Sequence, residues 1–134
     1  MNSRFRNRCP AFLLLLLAGC SGVDPAKFTT VFAHAESIDC DEIETFTQHR
    51  KAYHQQLEIL QTKNLNQKEE KIAELLRQAG MKWDFAEEYL IDHRVGPTPT
   101  DRQRGLRNAC DCILAGQMNV EEARRMVNNR RPLF

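Results

Sequence analysis

The sequence predicts an all-α protein, a small bundle of five to six short amphipathic helices fastened by one disulfide. Three observations carry this. No stretch alternates apolar and polar residues with the period of two that a half-buried strand needs. Apolar residues recur instead at spacings of three and four, the signature of one helix face. Residues suited to opening a helix stand just ahead of most of these stripes.

The first helix begins at Asp24-Pro25, where a carboxylate can cap free amides and proline suits the first helical position. Phe28, Val31, Phe32 and Ala35 form its stripe, although residues 28–32 also fit a short strand. Asp39 with Glu42, or Asp41 with Glu44, starts the second helix as a capping box. Ile43, Phe46, Arg50, Tyr53, Leu57 and Leu60 then follow at alternating steps of three and four, a seam with one arginine in it. So short a seam suits a helix of a bundle better than a free-standing coiled coil.

Asn66 with Glu69 caps the third helix, whose stripe is Ile72, Leu75, Leu76 and Ala79 and whose end is expected at Gly80. Asp84 with Glu87 starts the fourth, which buries Phe85 and Tyr89 with Leu90 or His93 and stops at Gly96, Pro97 and Pro99. Thr100 with Gln103 opens the fifth, with Leu106, Ala109, Cys110, Ile113 and Leu114 turned inward and Gly116 as its close. Asn119 with Glu122 opens the sixth, carrying Val120, Ala123, Met126 and Val127. The short glycine-containing link predicts that the fifth and sixth pair as an αα-hairpin.

At 134 residues the chain holds one domain, and 19 Lys+Arg against 18 Asp+Glu exclude a global polycation built for nucleic acid. A charged fraction of 28% excludes a multi-span membrane protein. The N-terminus is different in kind. Arg4, Arg6 and Arg8 precede an unbroken apolar run, residues 11–18, with small residues behind it. This is the layout of a secretory leader, and the run is about half of the ~20 residues a bilayer-spanning helix requires.

Leu17-Ala18-Gly19-Cys20 resembles the lipobox of bacterial lipoproteins: a leucine, two small residues and an invariant cysteine. The resemblance covers residues 1–21. It implies that residues 1–19 are a signal peptide and that Cys20 receives the lipid; residues 20–24 are then a short tether to the single helical domain read over 25–134. Membrane lipid would then be the first partner, through acylated Cys20. Ser21, where an aspartate would favour the inner membrane, implies the outer membrane, facing the periplasm or the cell surface. Two or more acyl chains are needed because one binds only reversibly.

Cleavage before Cys20 leaves 115 residues, with sixteen bases against eighteen acids and four cysteines. Residues 23–92 carry eight bases and fourteen acids, and residues 93–134 eight bases and four acids. The two parts can neutralise each other on folding, or the basic end can meet an anionic partner.

Export exposes thiols to an oxidising compartment. Cys110 and Cys112 diverge by about 200° on a helix and should not pair with each other. Either can bridge to Cys40, with Cys110 slightly favoured because it points inward. The leftover thiol is a buried free cysteine or a bridge between copies. A metal site finds no support: His34, His49, His54 and His93 form no i, i+4 pair, and a Cys-x-Cys on a helix does not converge. Each histidine is expected to stand alone in solvent. No catalytic residue and no cofactor are assigned.

Trp83, Phe85 and Tyr89 are either core plugs or an exposed anchor for a partner, and burial of Trp83 separates the two. Arg124, Arg125, Arg130 and Arg131 are the basic candidates. The functional expectation is a non-enzymatic binding or accessory subunit of a cell-envelope complex, with a protein partner there. An inhibitor or immunity protein is the first alternative and predicts an exposed acidic patch over residues 36–44. An envelope enzyme acting on glycan or lipid is the second and predicts a cleft with converging carboxylates.

Overall fold

A computed structural model describes residues 22–128 and is all-helical there. Cys20, the leader, Arg130 and Arg131 lie outside the described residues. A 3-10 turn at Pro25–Lys27 leads into α1 (Thr29–Glu36). A second 3-10 segment, Cys40–Thr45, precedes α2 (Phe46–Gln61), and two long helices follow, α3 (Gln67–Val95) and α4 (Pro99–Val127). Among the described residues the bundle thus has four α-helices and not five or six. Among the described residues no helix is long and apolar enough to cross a membrane.

The corrected count has one cause. Gly80 and Gly116, expected as helix ends, sit inside continuous helices of 29 residues each, about 43 Å at 1.5 Å per residue. Their role is close approach. A Cβ at Gly116 would lie 2.7 Å from Cε2 of Trp83, and one at Gly80 would lie 3.0 Å from Cε1 of His54. A methyl group does not fit the first place, so glycine there is a packing residue. The hairpin is accordingly formed by α3 and α4, turning at Gly96-Pro97-Thr98, and residues 116–119 continue α4 without a link.

The caps divide along the same line. Asn66 and Glu69 form the full reciprocal box at the start of α3. Asp24 caps the first turn, and Pro25 occupies its first position. Asp39 accepts from the Asp41 amide, but Glu42 leaves helical geometry (φ −123°, ψ 56°), so α2 begins only at Phe46. Thr98, not Thr100, opens α4, its hydroxyl accepting from the Asp101 amide at 3.0 Å. Asp84, Glu87, Asn119 and Glu122 lie mid-helix and cap nothing.

Packing centres on Trp83, which is fully buried. Its ring meets Tyr53 edge-on at 4.7 Å, and its Nε1 donates to the Ile113 carbonyl at 3.1 Å. The Tyr53 hydroxyl donates to the Leu76 carbonyl at 2.6 Å, and burial pushes its pKa well above the ordinary value. Phe28, Val31, Phe32 and Ala35 are all buried, and the backbone from Thr29 to Glu36 is α-helix and not strand. The seam arginine, Arg50, reaches Asp84 at 2.7 Å across the α2–α3 interface.

The disulfide joins Cys40 to Cys110, with Cα atoms 5.3 Å apart, inside the range a relaxed bridge needs. It ties the segment before α2 to the middle of α4. Gln117 Nε2 supports the same junction by donating to the Ile38 carbonyl at 2.7 Å. Cys112 is left as a free, half-buried thiol packed against the core.

Candidate partner-binding surfaces

Trp83, Phe85 and Tyr89 part company. On a helix, residues 83 and 85 point about 200° apart, so burying one exposes the other. Trp83 is core, whereas Phe85 is 54% exposed and Tyr89 is 36% exposed. Met81, four residues before Phe85, is 59% exposed. These three make an apolar stripe at steps of four along the outer side of α3, turned away from α2. The expected burial of Phe85 and Tyr89 is therefore corrected. Their burial was inferred for a separate short helix with its own phase, and the continuous α3 takes its phase from Ile72, Leu76, Ala79, Trp83, Ala86 and Leu90.

A second apolar surface lies between α1 and α4. A groove of about 560 Å³ is lined by Ala35, Leu114, Met118 and Val120, with Glu36, Glu121 and Arg124 at its rim. Leu114, expected to point inward, is half exposed, and Met118 is largely exposed. The signal for both was present in the sequence. Once 99–127 is one helix, the line Ala109–Ile113–Gly116–Val120–Ala123 faces inward, and 114 and 118 fall outside it. Arg124 spans the groove's edge: it pairs with Glu36 at 3.2 Å and lies 4.8 Å over the Phe32 ring. Arg124 thus joins α1 to α4 before it can serve a partner. Arg125 is half exposed and pairs with Glu122 on its own helix.

The acidic run is exposed as well. Glu36, Asp39, Asp41, Glu42 and Glu44 are all solvent-facing and flank the Cys40–Cys110 bridge. Neutralisation between the two charge-biased parts comes chiefly through Arg124–Glu36 and, within α3, through Arg94–Glu87 at 3.3 Å.

A polar cluster between α2 and α3 has no counterpart in the sequence reading. Asp84 Oδ1 accepts from Arg50 at 2.7 Å and lies 2.8 Å from His54 Nε2. Glu87 accepts from the Thr47 hydroxyl at 2.7 Å, and Arg50 Nε, buried without a hydrogen bond, is 3.5 Å away. Every acid here has a cation or a hydroxyl on it, the arrangement of an interhelical clamp. His54 is therefore not alone in solvent, nor is His93, whose Nδ1 lies 3.1 Å from the Arg102 carbonyl. Among the described residues no group of three or more His, Cys, Asp or Glu could hold a metal. Burial, with Asp111 beside it, pushes the Cys112 thiol up and away from the reactive thiolate form.

The other unforeseen residue is Glu69. It is 1% exposed, yet charged. One oxygen accepts from Lys27 Nζ at 2.8 Å and from the Asn66 amide at 3.0 Å, and the other accepts from the Asp24 amide at 2.8 Å. Burial alone would raise its pKa, but the Lys27 bond and the two amides outweigh it and hold the carboxyl below its usual value. Asn66 Nδ2 also donates to the Gly22 carbonyl at 3.0 Å, and Lys27 Nζ to the Asn64 carbonyl at 2.8 Å. Residues 22–27 are thereby locked onto the α2–α3 loop. The capping box Asn66–Glu69 was legible in the sequence. Its second use, as the socket for the incoming chain 45 residues away, was not.

Comparisons of the chain with protein-family models, with curated proteins and with solved structures find no match.

Proposed function

We propose that the chain is a membrane-anchored lipoprotein, acylated at Cys20, that serves as a non-enzymatic binding or accessory subunit of a cell-envelope complex. The observation that carries the binding role is the stripe Met81–Phe85–Tyr89, three large apolar side chains left in solvent on a helix whose other face is fully packed. Aromatic residues exposed in one patch are what interface anchors are made of. The placement at the periplasmic side of the outer membrane comes from the lipobox and Ser21.

Two measurements test this. Cys20→Ser should leave an uncleaved, unacylated chain, read by intact mass. Phe85→Glu should abolish co-purification of an envelope protein with the detergent-solubilised chain while leaving the thermal midpoint within a few degrees. Equal recovery of companions with wild type and Phe85→Glu would remove the stripe from the function.

A second reading, an inhibitor or immunity protein, is favoured by one specific observation: the acidic run is exposed beside the disulfide. There the decisive variant neutralises Asp39, Asp41, Glu42 and Glu44 together, and binding to a basic partner should fall steeply with salt. The enzyme reading draws less support, because Asp84 and Glu87 converge on Arg50 and not on an open cleft.

A further inference from the structure

α1 is eight residues long and α4, on which it packs, is 29, so α1 leaves much of α4 uncovered. Past Glu36 the chain turns through a 3-10 segment to reach Cys110, and Gln117 pins it by donating to the Ile38 carbonyl. What stays open is the groove between the two elements, with Ala35 and Val120 in its floor and Leu114 and Met118 along its α4 wall. Leu114 is 54% exposed and Met118 74% exposed, one helical turn apart. A small residue on one helix facing an i, i+4 ridge on the other is the relief into which a third helix packs. An extended segment has no sheet edge to join among the described residues.

The rim decides which kind of helix. Residues 33–44 and 107–125, the two sides of the groove, carry eight acids against three arginines and no lysine. Two of those arginines are engaged, Arg124 by Glu36 and the Phe32 ring and Arg125 by Glu122. Glu36 and Glu121 line the groove itself. Asp39 and Asp41 flank Cys40, and Asp111 follows Cys110, so the disulfide gathers three more exposed carboxylates at one end. The apolar floor offers burial, and the acids set a field of one sign that attracts a cationic partner and repels an anionic bilayer.

We infer that the α1–α4 groove docks an amphipathic helix of a partner protein, apolar along one face and rich in lysine or arginine on its flanks. Leu114 and Met118 pack the apolar face, while Glu36, Asp111 and Glu121 pair the flanking cations. Met118 suits this task, because an unbranched thioether chain adapts to the side chain that arrives. The site is separate from the Met81–Phe85–Tyr89 stripe on α3 and rests on neither that stripe nor the acylation of Cys20. It gives the chain a second place to bind.

The test uses the full chain in neutral detergent, with detergent alone as the blank. Three synthetic peptides of about 14 residues are compared, long enough to span residues 114–124 of α4 with a turn to spare. The first carries leucines at i, i+3, i+4, i+7 and i+11 with lysines elsewhere. The second scrambles the same residues so that no apolar face forms, and the third replaces every lysine by glutamate. Binding is read by fluorescence anisotropy. The place of contact is read by carbodiimide coupling of peptide amines to carboxylates, located by mass spectrometry.

The first peptide should bind and couple at Glu36, Asp111 and Glu121 in preference to the exposed Glu74 and Glu88 of α3. The other two should bind at least about tenfold more weakly. Leu114→Ser with Met118→Ser should lower affinity about tenfold. Asp111→Lys with Glu121→Lys should do the same at low salt, with the difference shrinking at high salt, and Phe85→Ser should change nothing. Thermal midpoints report that each variant keeps the bundle. Equal binding of the scrambled peptide, or couplings spread evenly onto Glu74 and Glu88, would reduce the surface to an acidic patch and overturn the docking. So would equal binding of the glutamate peptide, or no saturation by the first peptide up to about 1 mM. A loss confined to Phe85→Ser would overturn the groove and leave the proposed function standing, because that function is tested by co-purification and not by these peptides.

Discussion

The α3–α4 hairpin and the N-terminal arm, residues 22–45, share one core but differ in how much of their hold comes from point contacts. The hairpin is a long seam of apolar and small residues, with Trp83 seated on Gly116 and Ala79, Ala86, Ala109 and Ala123 fully buried. The arm is short: it buries Phe28, Val31, Phe32, Ala35 and Ile38 in the common core, and adds discrete fastenings, among them the Glu69 socket, the Arg124 bridge to Glu36 and Phe32, and the Cys40–Cys110 bond. Distributed packing resists any single loss in part, while point fastenings can be undone one at a time. The comparison teaches which damage should spread and which should stay local.

The largest effect is expected at Trp83. Trp83→Ala removes the central ring and its bond to Ile113, and should cost about 3–5 kcal/mol in urea unfolding, with every probe of the bundle moving together. Next is the disulfide. Closing a loop of 70 residues stabilises by about 4 kcal/mol on the chain-entropy model. Cys40→Ser should raise hydrogen exchange in residues 29–45 first, while amides of α3 and α4 remain protected. A loss that spreads evenly across all four helices would erase the distinction between arm and hairpin.

The third test is Glu69. Removing its charged hydrogen bonds by Glu69→Ala should cost about 2–3 kcal/mol and release residues 22–28, measured by exchange or proteolysis. The pH dependence has a definite sign. Because the folded carboxyl sits below its usual value, its contribution is complete above the ordinary pKa of about 4.5 and disappears as pH falls through the lower folded value. Glu69→Gln should flatten that acid limb.

Gly116→Ala sharpens the contrast from the other side. In an exposed helix interior the change would stabilise by about 1 kcal/mol. Against the Trp83 ring it should destabilise by about 1–3 kcal/mol, and shrinking Trp83 to Phe should recover part of the loss. The smallest effect belongs to Thr98→Ala, about 1 kcal/mol at an exposed cap, visible only as fraying at the start of α4.

Signals that act within a few residues were legible. The cap pair Asn66–Glu69, Asp24-Pro25, the break at Gly96-Pro97 and the stripe of Phe28, Val31, Phe32 and Ala35 all stand where the local chemistry placed them. Signals whose meaning depends on a distant neighbour were not. A glycine marks a helix end or a close approach with the same letter, and only the indole across the hairpin decides for Gly116. Asp84–Glu87 has the spacing of a cap, and only Arg50, Thr47 and His54 on α2 show it to be a clamp. The phase error passed straight to the surface, misplacing Phe85, Tyr89 and Leu114 together. The cysteine pairing was half legible, since Cys40 was fixed as one partner while the choice between Cys110 and Cys112 rested on which side of one helix each takes.

The contact between an indole and a missing side chain also constrains ancestry. Positions 83 and 116 do not drift independently: a lineage that gains even a methyl at 116 bears a stability cost that persists until the bicyclic ring at 83 is reduced. In divergent descendants of this chain those two columns should change as a pair, and Trp opposite Gly should persist where the rest of the surface has been rewritten.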